Sequence, residues 1–315
     1  MNKIFEVIVV GELNADLIFN QLASFPEIGK EKLAERMTLT LGSSAAIFAS
    51  NLSSLGGKVA FIGKIGDDII GRFCKQQLED KRVDTSMVLI DNALDTGATV
   101  VLNFNEDRAM ITHQGAMKHL SLADITGENI SKGNHLHFSS YFLQPGFRDK
   151  LAGLFKLAKN AGMTTSFDVQ WDPEENWQFD YREVIPFVDV FLPNEKELQM
   201  LTGKTNTEDA IEEIKGITKI LAVKMGNRGS LLVCDGMNIF KPAFLNKEVV
   251  DAIGAGDSFN AGFIYQYIKG SPLEKCQEFA NLTGAVSTTA AGGTLAFVDM
   301  NTVLKIAKEK FGYDQ

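Results

Sequence analysis

The chain has 315 residues, 45% of them hydrophobic, and a mean hydropathy near zero, so it is long enough to bury a substantial core. Its formal net charge is -9, from 31 basic and 40 acidic side chains without a long block of one sign, which argues against broad binding of nucleic acid or of an anionic membrane. The three cysteines lie far apart and form no Cys-x-x-Cys pair, which predicts reduced thiols in a cytoplasmic protein.

The first predicted element is a short apolar run that ends in glycine, from Ile4 to Gly11. It indicates a buried strand and not a signal peptide, because Glu6 interrupts it. Two uncharged stretches, 37–57 and 279–298, contain too many Ser, Thr, Gly and Asn residues to span a bilayer. A membrane-spanning protein is therefore not expected.

The middle of the chain alternates short apolar strands with helical patterns. Strands are predicted at 135–139, 164–169 and 188–192, with a helix at 147–161 between the first two. This rhythm predicts an α/β protein with a mainly parallel sheet flanked by helices. An amphipathic closing helix is predicted at 301–310.

Two further segments have a sheet-like pattern and predict a small second sheet. Residues 17–41 follow the first strand, and 86–113 contains β-rich pieces at 87–90, 98–104 and 109–112. The last two pieces flank an Asn-Glu-Asp-Arg sequence, which predicts a hairpin. We expect one domain over 1–315, with a lid formed by approximately 12–41 and 86–113 over the carboxyl ends of the parallel strands.

The sharpest local motif is Asp-Ala-Ile-Gly-Ala-Gly-Asp at 251–257, followed by an apolar helical pattern. Small residues at 254–256 allow backbone N–H groups to approach an anion, and a helix N-terminus adds positive potential. Asp257 then falls in the first turn of the helix, where it is either a catalytic base or only a helix cap. The motif alone leaves both interpretations open.

Other candidate motifs fail on spacing or on ligand number. Gly203-Lys204-Thr205 resembles the end of a Walker A loop, but Leu198 stands where its first glycine belongs. The glycines at 63–66 lack the spacing of a dinucleotide-binding fold. His135 and His137 share one face of a predicted strand without a third ligand nearby, which favours core histidines over a metal site.

The chain resembles the ribokinase-like (PfkB) carbohydrate kinases, through motifs that occur in the family's order over nearly its whole length. The matching segments are Gly11–Asp16, Gly42–Ala46, Leu55–Gly57 with Gly63–Asp68, Gln114–Ala116, Pro193–Glu197 (the family's Asn-x-x-Glu), Val223–Gly229 (its Lys-x-Gly-x-x-Gly) and Asp251–Asp257. The resemblance implies a three-layer α/β/α fold with a β-sheet lid. It also implies transfer of the γ-phosphoryl group of ATP to a small sugar such as ribose or fructose.

The resemblance also implies a role for each matching residue. Asp257 would be the base, and the backbone amides of Gly254, Ala255 and Gly256 would form the anion hole. Asn194 and Glu197 would organise Mg²⁺ through water, and Asp251 with the Ile253 carbonyl would hold K⁺. The residues bordering the nucleotide would be Lys224, Gly226, Gly229 and Asn281, and those on the sugar side would be Asn14, Asp16, Gly42 and Ser43. Apart from the matching motifs, Gln144 at a strand end and Arg108 in the lid are further candidates for the sugar side, and the alternative for Arg108 is a solvated residue of the hairpin. A homodimer through the lid strands is a further expectation.

Two departures from the family pattern leave the acceptor open. Ile47 replaces the Asn of the family's Gly-Gly-x-x-x-Asn turn, and Ala252 replaces its usual Thr. A nucleoside kinase, whose acceptor base packs on Ile47, is therefore one alternative, and a sugar or nucleotide sensor without activity is another. Asp168 and Gln170 stand where relatives often carry Asp-x-Asn-x-Arg, and they face either the substrate or the protein interior.

Overall fold

The computed structural model of the protein describes residues 3–24, 26–104 and 107–314, and for residues 107 and 108 it describes the backbone alone. The strands in chain order are β1 (Phe5–Val10), β2 (Asn14–Asn20), β3 (Arg36–Leu41), β4 (Val59–Ile62), β5 (Lys64–Gly66), β6 (Leu89–Asp91), β7 (Gly97–Phe104), β8 (Asp107–His113), β9 (Gly133–Ser139), β10 (Thr164–Asp168), β11 (Val190–Phe191), β12 (Ile220–Lys224), β13 (Gly229–Cys234) and β14 (Met237–Pro242).

The α-helices are α1 (Ser44–Ser54), α2 (Ile69–Asp80), α3 (Gly127–Ser131), α4 (Leu151–Asn160), α5 (Tyr181–Val184), α6 (Glu195–Thr202), α7 (Thr207–Ile214), α8 (Ala255–Ile268), α9 (Leu273–Ser287) and α10 (Met300–Phe311). Short 3₁₀ turns lie at Gly115–His119, Leu122–Asp124, Tyr141–Leu143, Pro145–Phe147, Ile185–Phe187 and Gly226–Arg228. No helix among the described residues is long and apolar enough to cross a membrane.

The central sheet has eight strands in the order β14-β13-β12-β11-β10-β9-β1-β4. The six strands from β12 to β4 are parallel, while β13 and β14 continue the sheet as an antiparallel hairpin. Parallel strands need helical crossovers, and these cover both faces of the sheet. The predicted three-layer α/β fold with a mainly parallel sheet is confirmed.

Alternating side chains of β1 show how the two helical layers are held. Val7 and Val9 pack with α1 and α8 on one face, whereas Ile8 and Val10 pack with α4 on the other. All four of these side chains are fully buried, as expected for a central strand of a parallel sheet. The sheet therefore has a hydrophobic core on each face. The two edges formed by the ends of its strands remain available for a binding site.

A separate four-stranded sheet has the order β3-β2-β7-β8 and joins the two segments in which it was predicted. The predicted hairpin is confirmed, since β7 pairs with β8 in antiparallel register from Ala98 opposite His113 to Phe104 opposite Asp107. Its turn, residues 105 and 106, lies outside the described residues. The prediction was wrong for the beginning of 86–113: Leu89–Asp91 pairs with Lys64–Gly66 in a two-stranded ribbon and does not join this sheet.

The parallel strands β1, β10, β11 and β12 all end at the same edge of the central sheet. The chain segments at these strand ends carry Glu12, Asp168, Asn194 and Lys224. In open α/β sheets, ligands bind outside the carboxyl ends of the strands. The fold thus brings polar residues from four distant parts of the sequence to one place.

Candidate active site

A cavity of about 820 Å³ opens at this edge of the sheet. Its walls come from the central sheet, from α8 and from the small sheet, which contributes Asp16, Val101 and Met110. The residues predicted for the site that line it are Asp16, Ser43, Asn194, Glu197, Lys224, Gly226, Gly229, Ile253, Gly254, Ala255, Gly256, Asp257 and Asn281. Most of the predicted site thus converges on one cavity.

Residues 251–256, before and at the start of α8, are called the anion loop, after the role that the sequence predicts for them. Gly254 has a φ of 75°, and a Cβ at this position would lie 2.5 Å from the Cα of Gly293, so another residue would not fit. Asp251 holds the loop: its Oδ1 accepts from Ile253 N and its Oδ2 from Gly292 N, both at 2.9 Å. Gly254, Ala255 and Gly256 at the start of this long helix line the cavity, and Ala255 N donates to Ala252 O at 3.3 Å. The N-terminus of a helix favours a bound anion.

Asp257 is the third residue of α8 and does not cap it, because the cap position belongs to Gly254. Its Oδ1 accepts from Gln170 Nε2 at 3.0 Å, and the Ser44 hydroxyl also hydrogen-bonds the carboxylate. Burial raises the pKa of Asp257 to about 7, and the charge of Asp168 adds to this rise. A buried carboxylate with a pKa near neutrality is suited to accept a proton.

Asp168 is fully buried at the end of β10 and connects several side chains. Its Oδ2 accepts from Gln170 Nε2 at 2.8 Å, from Lys224 Nζ at 2.9 Å and from Asn260 Nδ2. Its Oδ1 is buried without a hydrogen-bond partner among the described residues. Three elements, β10, β12 and α8, are therefore linked through one carboxylate.

Lys224 places a positive charge beside the anion loop. A Cβ built on Gly256 would lie 3.6 Å from Lys224 Nζ, so the ammonium group sits against this loop. Burial acts to lower the pKa of Lys224, but the charges of Asp168, Glu197 and Asp257 outweigh burial and raise it. Lys224 is consequently charged, and it neutralises part of an acidic cluster.

Asn194 and Glu197 form a capping box at the start of α6. Asn194 Oδ1 accepts from Glu197 N, and Glu197 Oε2 accepts from Asn194 N, both at 2.8 Å. Burial, together with Asp168, raises the pKa of Glu197 to about 7. The pair therefore has the structural role of a cap and also presents oxygen and amide groups to the cavity.

Asp16 lies on the side of the cavity formed by the small sheet. Asn14 Nδ2 donates to Asp16 Oδ1 at 3.1 Å and lies 3.2 Å from Thr99 Oγ1, which orients the carboxylate. Burial raises the pKa of Asp16 to about 6. Gly42 packs against it so closely that a Cβ would lie 2.2 Å from Asp16 Oδ1. Asn14 and Gly42 thus support Asp16 from behind and do not themselves line the cavity.

The other two residues assigned to the sugar side are Gln144 and Arg108. The structure does not bring Gln144 to the cavity: it is fully buried, and its Nε2 donates to the backbone oxygens of Ser139 and Ser140 at 2.7 and 3.2 Å. These carbonyls satisfy its amide nitrogen, so the side chain holds the 139–144 turn, while its Oε1 is buried without a partner among the described residues. The side chain of Arg108 lies outside the described residues.

His135 and His137 are buried in the core. Ser166 Oγ lies 2.7 Å from His135 Nε2 and 2.7 Å from His137 Nδ1, and burial lowers the pKa of both histidines. Among the described parts of the chain, no group of three or more His, Cys, Asp or Glu side chains is arranged to hold a metal ion.

Ile47, which replaces the family's Asn, packs behind the anion loop. Its side chain is 3% exposed and would lie 2.7 Å from a Cβ on Gly293 and 3.2 Å from one on Gly254. The departure at this position therefore shapes the anion loop, and it leaves only a small apolar surface toward the cavity.

Glu12 is a residue that the sequence did not single out. It is 1% exposed, its Oε1 accepts from Ser140 Oγ at 2.8 Å and from Ala45 N at 3.3 Å, and burial raises its pKa to about 7. Its hydrogen bond to Ala45 N holds the start of α1 in place. Ser44 in the same turn of α1 hydrogen-bonds Asp257. The only signal in the sequence was that Glu12 is a charged residue within the motif Gly11–Asp16. That signal does not show whether its side chain is buried.

Comparisons with known proteins agree with this geometry. Residues 5–299 match the pfkB family of carbohydrate kinases. An ATP-dependent ribose-1-phosphate kinase from Halopiger xanaduensis is 29% identical over 293 residues, covering 92% of this chain and 94% of its own. A nucleoside kinase from Methanothermobacter thermautotrophicus is 24% identical and covers 100% of this chain and 99% of its own. The structure of Arabidopsis thaliana ribokinase, complexed with ribose and ATP, superposes with a TM-score of 0.83 at 26% identity, covering 98% and 99%.

The fold and the cavity thus define a ribokinase-like kinase. The chain belongs to the pfkB family of carbohydrate kinases, and it is an ATP-dependent phosphotransferase that acts on an alcohol acceptor.

Proposed function

We propose that the protein transfers the γ-phosphoryl group of ATP directly to a hydroxyl of a small sugar, with Asp257 as the base. The observation that carries this proposal is the presence, in one cavity, of a buried carboxylate at the start of α8, a backbone anion loop and a second carboxylate, Asp16, from the small sheet. Asp16 suits an acceptor rich in hydroxyls, since a carboxylate accepts hydrogen bonds from them. The amides of Gly254, Ala255 and Gly256 would stabilise the charge that develops during transfer.

The nucleotide would occupy the opposite part of the cavity, near Gly226, Gly229 and Asn281. The turn after β12 requires glycine, because Gly229 has a φ of 124° and a Cβ there would lie 2.0 Å from Lys241 O of the neighbouring strand β14. Asn281 is held by the backbone oxygens of Lys241 and Pro242 at 3.3 and 3.1 Å. This wall is built largely from backbone and apolar groups, which suit a nucleobase.

The acidic groups of the cavity fit a divalent cation. Asp168, Glu197 and Asp257 are opposed by a single buried cation among the described residues, Lys224, and burial raises the pKa of both Glu197 and Asp257 to about 7. We infer that Asn194 and Glu197 would hold Mg²⁺ through water, which agrees with the oxygen ligands that Mg²⁺ prefers. When bound, it would neutralise charge on the phosphates.

A monovalent cation such as K⁺ would fit beside the anion loop, at Asp251 and the carbonyl of Ile253. The supporting observation is that Asp251 already joins the two loops at Ile253 and Gly292. We also infer a cytoplasmic location, in line with an ATP-consuming enzyme and with cysteines that are all free and buried among the described residues.

A substrate panel tests the proposed function. ADP formation would be measured with ATP and Mg²⁺, with and without K⁺, against ribose, fructose, 2-keto-3-deoxygluconate, ribose 1-phosphate and adenosine. We expect turnover of at least one sugar, with kcat/KM at least tenfold above that for adenosine. Binding of ATP and a sugar without any turnover would instead support a sensor.

A nucleoside acceptor is the second candidate, and one observation favours it. Val101 and Met110 of the small sheet line the cavity together with Ile47, so the acceptor region has apolar as well as polar walls. Preferential turnover of adenosine in the same panel would establish this alternative.

We further propose that the small sheet is a lid and that its outer face joins two copies of the chain. Side chains alternate along each strand, so those facing away from the cavity share one surface. This outer face consists of Leu17, Phe19, Met37, Leu39, Val100, Leu102 and Ile111. Met37, Leu39 and Ile111 are 64%, 48% and 69% exposed, and a continuous apolar surface of this kind favours a protein partner.

Light scattering after size exclusion tests the dimer. We expect twice the monomer mass for the wild-type protein and the monomer mass for the Leu39→Lys variant, because a buried lysine would oppose pairing. The matched control is Val298→Lys, which changes a 64% exposed apolar residue outside the small sheet and should leave the dimer intact. A monomeric wild-type protein at micromolar concentration would refute this part of the proposal.

A further inference from the structure

Gln170 lines the cavity and connects two carboxylates, Asp257 in the cavity wall and Asp168 buried behind it. Its Nε2 donates to Asp257 Oδ1 at 3.0 Å and to Asp168 Oδ2 at 2.8 Å. Both acceptors belong to buried side chains, where hydrogen bonds to charged groups are strongest. One amide group thus joins the end of β10 to the first turn of α8, across 87 residues of sequence.

The backbone of Gln170 is also unusual. Its φ is 63°, in the left-handed region that residues with a Cβ avoid. Such conformations persist when the surrounding structure requires them, and they concentrate at functional sites. In this case the conformation accompanies a side chain that reaches the carboxylate proposed as the base.

We propose that Gln170 is a positioning residue for phosphoryl transfer, whose amide holds the Asp257 carboxylate in the orientation that receives the acceptor's proton. The inference rests on the proposed role of Asp257. In the step, the acceptor oxygen forms a bond to the γ-phosphorus, the bond from that phosphorus to the leaving oxygen of ADP breaks, and the hydroxyl proton passes to Asp257. Gln170 touches none of the reacting atoms and acts through Asp257.

The charged and polar groups around Asp257 determine what loss of the amide would do. Those that face it are Asp168 at the end of β10, Glu197 on α6, Glu12 after β1, Lys224 at the end of β12 and the Ser44 hydroxyl on α1. The three carboxylates disfavour a charged Asp257, whereas Lys224, Ser44 and Gln170 favour it. Removing the Gln170 donor would raise the pKa of Asp257, so the base would be protonated up to a higher pH.

The Gln170→Gly variant removes the amide without introducing backbone strain, because glycine adopts a φ of 63° freely. We expect the acid limb of the pH profile of kcat/KM to move upward by about one pH unit. At a pH of about 9, roughly two units above the pKa of the wild-type base, the rate should return to within a few-fold of wild type. The thermal unfolding midpoint should fall only slightly, because relief of the left-handed backbone offsets part of the two lost hydrogen bonds. A purely structural role would lower kcat/KM by the same factor at every pH and would overturn the proposal.

A second variant and a matched control complete the test. Gln170→Glu keeps the size of the side chain but adds a fourth carboxylate near Asp257, so its acid limb should move upward further than that of Gln170→Gly. Glu175→Gly relieves a φ of 54° in the same segment, at an exposed residue away from the cavity, and should leave the profile unchanged. An unchanged acid limb in both Gln170 variants would overturn the inference, while the separate loss of turnover in Asp257→Asn would leave the proposed function standing.

Discussion

The Asp257→Asn variant is expected to bind ATP as wild type does and to lose turnover by about 10² to 10⁴ fold. Asparagine has the same shape and can still accept a hydrogen bond from Gln170 Nε2, but it cannot take a proton from the acceptor. The measurements are kcat with the best acceptor of the panel and the affinity for ATP by calorimetry without an acceptor. Turnover within a few-fold of wild type would exclude Asp257 as the base.

The stability of this variant gives a second readout. Because burial raises the pKa of Asp257 from 3.8 to about 7, the unfolded chain loses this proton at a lower pH than the folded protein does. The resulting loss of stability grows between these two pH values and is complete above the higher one, and a neutral asparagine removes it. The thermal midpoint about one pH unit above that pKa should therefore rise. Asp209→Asn is the matched control: Asp209 is also the third residue of a helix, α7, but it is exposed and lies outside the cavity lining, so activity should not change.

Features that depend on local pattern were largely predictable from the sequence. The alternation of strands and helices predicted the parallel sheet, and the small residues at 254–256 followed by an apolar pattern predicted the start of a helix. The hairpin at 98–112 followed from alternation on both sides of a polar turn. In each case, the residues that determine the structure are close together in the chain.

Features that depend on distant contacts were not predictable. Gln144 and Gln170 are both amides near a strand end, yet one turns to the carbonyls of its own turn and the other reaches a carboxylate 87 residues away. Glu12 is buried because Ser140, 128 residues further on, provides a hydrogen bond. Similarly, the pattern of Leu89–Asp91 predicted a strand of the lid, but in the structure this strand pairs with Lys64–Gly66. The pairing partner is set by the assembled fold, which periodicity does not describe.

The Lys224→Met variant is expected to lose about 10² to 10³ fold in kcat, since it removes the cation beside Gly256 where charge develops during transfer. It should also be less stable, by roughly 3 kcal/mol, because Asp168 would remain as a buried carboxylate without its ion-pair partner. Activity and stability therefore fall together, and this variant alone does not separate a catalytic role from a structural one.

The double variant Lys224→Met/Asp168→Asn separates the two roles. The asparagine that replaces Asp168 would be neutral and could still accept from Gln170 Nε2, so most of the lost stability should return, as measured by chemical denaturation. The kcat should stay low, because no cation has been restored beside the anion loop. Recovery of kcat along with stability would show that Lys224 only balances the charge of Asp168, whereas persistent loss of turnover in a stable protein would identify its ammonium group as part of the phosphoryl-transfer site.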